Sequence, residues 1–239
     1  MGTLPRFETK PELRQWLLEQ RDQMLRSTRQ LHDDRLINNT LTWVNEQCES
    51  LKNAGITTPV ITCFAPVETE PGATGGDKIP EALAATTRFL DRIRQGIPAE
   101  AELLLPICPP GKPSALNWAS YDTSLEEPLV PGKYGLYEPA GERLGTSAIV
   151  GAHIVLLPGI AGDRNGNRMG RGAGYYDRSL ELVQQRSRVS VDGSPEGVQE
   201  TKQLIGLLLH PSELVDHVPF DDHDVPVDAI ITADGITTI

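Results

Sequence analysis

Apolar positions along the chain fall into two patterns, stripes at helical spacing and short β-branched runs. From Thr9 to Arg29, Leu13, Trp16, Leu17 and Met24 lie near helical spacing while charges fill the other face. Thr9 suits the N-cap of this helix, and Glu12, three residues on, completes a capping box. A second helix is predicted over Asn39–Lys52, ended by Asn53-Ala54-Gly55. The run Pro59–Phe64 is short, apolar and β-branched, the pattern of a buried strand. A helix follows at Ile79–Arg94 and a strand at Glu102–Ile107. Further on come a strand at His153–Leu157, a helix at Tyr175–Arg188 and a strand at Lys202–Leu209. Asp228–Thr232 is predicted as the last strand, and Asn117–Tyr121 as an edge strand. Ala65–Asp77, the proline-rich turn Cys108–Pro113 and Thr123–Glu142 read as loops, and Ser190–Gln199 as an exposed, mobile connection.

Strands separated by helices predict a three-layer α/β fold: one open, mainly parallel sheet with helices on both faces. With no internal repeat and no clear linker, residues 1–239 are read as a single domain. Ligands of such sheets bind at the carboxyl ends of the strands. The loops at those ends are Ala65–Pro71, Cys108–Pro113, Pro158–Gly174 and His210–Glu213.

Composition narrows the setting. The chain is 38% apolar and 23% charged, ordinary for a globular protein. No apolar run reaches the length of a membrane span, and the N-terminus lacks a signal-peptide apolar region. Cys48, Cys63 and Cys108 are odd in number and form no Cys-x-x-Cys pair, so neither a disulfide framework nor a zinc site is indicated, and a reducing cytoplasm is expected. Cys63 and Cys108 end apolar runs and read as buried small hydrophobes. A net charge of −11 argues against nucleic acid or an anionic membrane as partner. A monomeric or weakly dimeric protein acting on small molecules is expected.

One segment departs from this acidic background. Arg168–Arg178 reads R-M-G-R-G-A-G-Y-Y-D-R, with Gly170, Gly172 and Gly174 set between a predicted strand and a predicted helix. That arrangement presents unpaired backbone N–H groups to an anion, and glycine lets a phosphate approach them closely. Within Asp163–Arg178, four arginines (Arg164, Arg168, Arg171, Arg178) face two aspartates, a local balance of +2. No acidic ribose partner follows at dinucleotide-fold spacing, and no G-K-[ST] completes a Walker A loop. A tight turn serving strand–helix packing is the competing reading of the glycines alone.

The pattern L-L-P-G-I-A-G-D-R-N-G-N-R-M-G-R-G-A-G-Y-Y-D-R at Leu156–Arg178 strongly resembles the signature of the 5-formyltetrahydrofolate cyclo-ligases, also called methenyltetrahydrofolate synthetases. Further blocks of the family pattern recur in order: Lys10–Arg14, Pro66–Gly72, Leu103–Pro106, Tyr134–Pro139 and His223–Thr232. The resemblance implies ATP-dependent closure of 5-formyltetrahydrofolate to 5,10-methenyltetrahydrofolate with release of ADP and phosphate, in the presence of magnesium. It implies an ATP site of Lys10, Arg14, Arg168, Met169, Gly170, Arg171, Gly172, Ala173, Gly174, Tyr175 and Tyr176, with Arg168 and Arg171 acting on the phosphoryl group. Glu70, Trp118 and Tyr175 would meet the folate, and Asp177 and Asp224 would hold magnesium. Lys10 and Arg14 lie four apart, hence on one helix face. His210 reads as a loop or core histidine, since this chemistry needs none.

Two features depart from the family pattern. Gly162 stands where a bulky apolar residue is common, and the loop Gly72–Lys78 is longer and richer in glycine. Two alternatives stay open at this point: a folate- or nucleotide-binding module without catalysis, and a sugar-phosphate isomerase or CoA-transferase-like enzyme on a related fold.

Overall fold

The computed structural model describes residues 7, 9–74, 79–190, 202–221 and 224–239. Its helices are α1 (Lys10–Gln23), α2 (Arg26–Asn53), α3 (Ile79–Gly96) and α4 (Tyr175–Ser190). Its strands are β1 (Val60–Thr62), β2 (Glu102–Ile107), β3 (Asn117–Ser120), β4 (Leu129–Pro131), β5 (Tyr137–Pro139), β6 (Arg143–Gly145), β7 (Ile154–Pro158), β8 (Ala161–Asp163), β9 (Arg168–Met169), β10 (Leu204–Leu208), β11 (Leu214–Val215), β12 (Ala229–Thr232) and β13 (Gly235–Thr238).

Eight strands form the main sheet in the order β13-β12-β10-β7-β1-β2-β3-β6. The five in its centre, from β12 to β2, run parallel. The flanking strands β13, β3 and β6 pair antiparallel with their inner neighbours. The faces follow the two-residue period of each strand. Leu103 and Leu105 of β2, Ile154 and Leu156 of β7, and Ile231 of β12 enter one core with Leu36, Trp43 and Val44 of α2 and Phe89, Leu90 and Ile93 of α3. The intervening Leu104, Val155, Leu157 and Ile230 enter a second core with Leu180 of α4 and Ile149. Helices therefore cover both faces, as the alternation of elements predicted.

Several boundaries differ from the sequence reading. The first predicted helix breaks at Met24, whose backbone is extended, and α2 begins at Arg26 rather than near Asn39. Nothing in Arg26–Asn38 stops a helix. The two pieces separate because they serve different cores, Leu13 and Leu17 of α1 packing with Ile160, Ala161, Met169, Val215 and Val218. Asn117–Tyr121 is not an edge strand, for β6 lies outside it. Asp228–Thr232 is not the last strand, for β13 turns back on it from Gly235. Thr123–Glu142 contains the two-stranded ladder β4–β5. A small sheet, β11-β8-β9, was missed because two or three residues are too short to show a period. The predicted connection Ser190–Gln199 lies, beyond Ser190, outside the described residues.

The two departures from the family pattern are accommodated differently. A Cβ at Gly162 would lie 2.9 Å from both Ile230 Cδ1 and Leu207 Cδ2, so neighbouring side chains already fill that space. At Gly72, φ is +91° and a Cβ would meet the Phe89 ring at 2.4 Å, so only glycine fits. Asp33 accepts from the N–H groups of Gly72 (2.7 Å) and Thr74 (3.1 Å), which anchors the start of this loop. Residues 75–78 are outside the described set.

Candidate active site

The order of the strands locates the site. From β1, the chain places β2 on one side and β7 with β10 on the other, so the sheet has its switch point between β1 and β7. Loops leaving adjacent strands in opposite directions open a crevice there. A cavity of ≈ 310 Å³ occupies this position, lined by Phe64, Ala65, Val67 and Glu70 after β1, by Cys108 after β2, and by Pro158, Gly159 and residues 168–177 after β7.

Two segments separated by more than 150 residues meet in it. Leu13 and Leu17 dock α1 on the small sheet, which turns Lys10 and Arg14 toward the glycine loop. Arg14 Nε donates to Gly170 O at 3.0 Å. Gly172 has φ +95°, and a Cβ there would stand 3.3 Å from Arg14 Cζ. Gly174 has φ +72°, and a Cβ there would lie 2.5 Å from Arg178 Nη1, which itself donates to Ala173 O and Gly174 O. A Cβ at Gly170 would meet no protein atom, so packing does not require that glycine. Helix α4 starts immediately after the loop, and its first turn leaves N–H groups without helical partners.

Three of the four cations at this cavity, Lys10, Arg168 and Arg171, have a carboxylate neighbour, while Arg14 donates to a backbone carbonyl. Lys10 Nζ bonds Asp221 Oδ2 (2.8 Å) and Asp224 Oδ2 (2.7 Å). Burial lowers the Lys10 pKa, but the bonds to Asp221 and Asp224 outweigh it and leave it raised. Burial pushes Asp224 up, while the hydrogen bonds from Lys10 and the Asp221 N–H hold it below the usual carboxylate range. Arg168, 7% exposed, pairs with Asp177. Arg171 pairs with Glu68 Oε2 at 2.7 Å and with Glu70 Oε1 at 3.2 Å. Burial raises the Glu70 pKa despite the guanidinium beside it.

Lys10, Arg14, Glu70, Arg168, Met169, Gly170, Arg171, Gly172, Ala173, Gly174, Tyr175, Tyr176, Asp177 and Asp224 all line this one cavity. Trp118 does not join them. It is fully buried in the second core, on the inner antiparallel strand β3, and has no free face for a ring to stack on. Cys63 is buried as expected, and so is Cys48, whereas Cys108, expected to be buried, is half-exposed at the cavity wall where its strand ends. His210 is a core histidine. It is 1% exposed, its side chain caps the turn Pro211–Glu213, and its Nε2 lies 3.0 Å from Thr69 O.

Two groups escaped the sequence reading. Arg21 and Glu213, each 1% exposed, form a buried ion pair beneath the cavity, and Arg21 also donates to the Gly159 carbonyl. The available signal was spacing, since Arg21 continues the Leu13–Leu17 stripe at i+8. Glu138 lines the cavity from β5, inside the segment expected to be loop.

Asp177 and Asp224 suit a magnesium site. Both are carboxylates at one cavity, and each already faces a cation. Magnesium takes one or two carboxylates, completing its shell with water and substrate phosphates.

A glycine loop with a helix N-terminus and basic side chains, at the switch point of a mainly parallel sheet, is the arrangement of phosphate-binding α/β proteins, and here Phe64, Leu116, Leu136 and Tyr137 add an apolar wall to the same cavity. Comparison with known proteins gives the particular family. The model of the 5-formyltetrahydrofolate cyclo-ligase family matches residues 6–233. A 5-formyltetrahydrofolate cyclo-ligase of Mycolicibacterium smegmatis is 30% identical over 175 residues, 72% of each chain. That of Mus musculus is 33% identical over 117 residues, 47% of this chain and 52% of its own. The structure of the Aquifex aeolicus 5,10-methenyltetrahydrofolate synthetase superposes with a TM-score of 0.61 at 24% identity, over 96% of this chain and 92% of its own. The chain belongs to the 5-formyltetrahydrofolate cyclo-ligase family.

Proposed function

We propose that this protein closes 5-formyltetrahydrofolate to 5,10-methenyltetrahydrofolate while ATP becomes ADP and phosphate. The observation that carries this reading is the convergence of Lys10 and Arg14 with Arg168 and Arg171, from segments more than 150 residues apart, on one cavity that also has an apolar wall. One end suits a polyanion, the other a flat ring.

In this reading the formyl oxygen attacks the γ-phosphorus and the bond to the β-phosphate oxygen breaks, releasing ADP. Nitrogen 10 then attacks the activated carbon and loses its proton. The C–O bond breaks, phosphate leaves, and the ring is closed as the methenyl cation. Catalysis of phosphoryl transfer is chiefly positioning and charge stabilisation. Arg168 and Arg171 neutralise charge on the transferred group, Lys10 and Arg14 hold the distal phosphates, and the N–H groups of the glycine loop and first turn of α4 receive phosphate oxygens. Glu70 binds the folate and orients Arg171. Tyr175 and Tyr176 line the same cavity. Asp177 and Asp224 would hold magnesium, which supplies charge neutralisation between phosphates and carboxylates. The carboxylates now paired with Arg168 and Lys10 exchange those partners when the ligands enter.

We propose that it acts as a monomer or weak dimer. Among the described residues no helix is long and apolar enough to cross a membrane. The free thiols Cys48, Cys63 and Cys108 suit a reducing cytoplasm, the setting we propose. The test is direct. Purified protein mixed with 5-formyltetrahydrofolate and magnesium-ATP should generate the absorbance of the methenyl product, and only with ATP. Failure to form it under those conditions overturns the assignment.

A further inference from the structure

We propose that Glu138 is a substrate-recognition residue, accepting the 2-amino and N3–H donors of the reduced pteridine ring. The inference rests on the folate reading above. Glu138 lies on β5 and is 9% exposed, yet it lines the cavity with Pro106, Leu116, Leu136 and Tyr137, an otherwise apolar wall. One carboxylate oxygen, Oε1, accepts from the Cys108 N–H at 3.1 Å. Gly132 makes room for the side chain. A Cβ there would lie 2.3 Å from Glu138 Cγ and 2.4 Å from Cδ, so any larger residue would displace the carboxylate.

What sets Glu138 apart is the lack of a direct ion pair. Among the described residues, Glu70, Asp177, Glu213 and Asp224 each have an ion-pair partner, and Glu138 has none. A carboxylate withdrawn from water is costly unless donors surround it. One backbone N–H leaves acceptor capacity on both oxygens. A ligand that brings adjacent N–H donors on an apolar plate satisfies it. The aminopyrimidinone edge of a reduced pteridine offers two parallel N–H groups at carboxylate spacing, and its ring suits the apolar wall. The glutamate tail of the same substrate is anionic and is repelled from this wall. Glu138 thus selects the ring and sets which way the molecule points.

The test measures the affinity of 5-formyltetrahydrofolate by calorimetry without ATP, for the wild type and for Glu138→Gln. Glutamine keeps an oxygen for Cys108 but replaces the other acceptor with a donor. Loss of a charge-assisted hydrogen bond should weaken binding about 10- to 150-fold, with magnesium-ATP affinity unchanged. A 2-desamino-2-methyl analogue of the substrate separates recognition from structural support. The wild type should lose about tenfold or more on this analogue, and the glutamine variant little. Equal folate affinity in the two proteins, or an equal loss on the analogue, overturns the proposal. Should Glu138→Gln not fold, full affinity of the wild type for the analogue overturns it as well. A wild type that does not bind 5-formyltetrahydrofolate at all would instead sink the folate reading.

Discussion

His210 and Arg171 show how position gives a side chain its task. The His210 ring accepts from the Glu213 N–H within its capping box, which leaves the proton on Nε2 for the Thr69 carbonyl. Burial lowers its pKa to about 4, and Arg21 and His32 push the same way against the Thr69 bond and Asp33. A histidine lowered from about 6.5 binds fewer protons folded than unfolded between those values, so its stability contribution is complete above pH 6.5 and is lost on acidification toward 4. The contribution amounts to about 3 kcal/mol at most. The thermal midpoint of the wild type should fall from pH 7 to pH 4.5 more steeply than that of His210→Gln. Parallel curves would exclude the histidine. Arg171→Ala should lower turnover by about 10- to 150-fold while changing folate affinity less. Steady-state rates and calorimetric affinities separate these, and abolished folate binding with near-normal turnover would move Arg171 to the ring pocket.

At the scale of elements, α1 is the part whose docking completes the site. Its apolar residues pack on the small sheet, and Arg21 is locked to Glu213 and to the Gly159 carbonyl. Breaking a buried ion pair costs about 3–5 kcal/mol because a charge remains unpaired in the interior. Arg21→Ala should therefore unfold at distinctly lower denaturant concentration. Arg21→Met with Glu213→Leu should recover part of the loss, and equal stability of the single and double variants would refute the pairing argument. Lys10→Ala acts at the exposed start of the same helix. It should raise the ATP concentration needed for half-maximal rate and shift the thermal midpoint little, since the side chain packs in none of the three cores. An unchanged ATP requirement would return Lys10 to a purely local pairing with Asp221 and Asp224.

The whole molecule combines a net charge of −11 with a cavity where cations and carboxylates are interleaved. On the proposed reading, a bare triphosphate entering there would meet Asp177 and Asp224, and a divalent cation between them would remove the repulsion. A ligand that binds only the folded state stabilises it by about 2.7 kcal/mol at a hundred times its Kd. ATP with magnesium should raise the thermal midpoint substantially, and ATP with EDTA much less. Identical shifts in the two conditions would remove the metal from Asp177 and Asp224.

Much of this was written into the chain locally. The glycine loop, the strand before it and the helix after it are contiguous, so backbone freedom and hydrophobic period report them directly. The same holds for the alternation within β2, β7 and β12 that places helices on both faces. Lys10, Arg14 and Glu70 entered the reading only through a resemblance of ordered blocks, because nothing local distinguishes a ligand-facing lysine from a solvated one. Tertiary structure alone decided the rest. It broke the first helix at Met24, sank Trp118 into the core, buried the Arg21–Glu213 pair across 192 positions of sequence and left Glu138 at the cavity wall outside every ion pair among the described residues. These depend on which surfaces meet after folding, and burial, unlike period, is a property of the neighbours rather than of the residue.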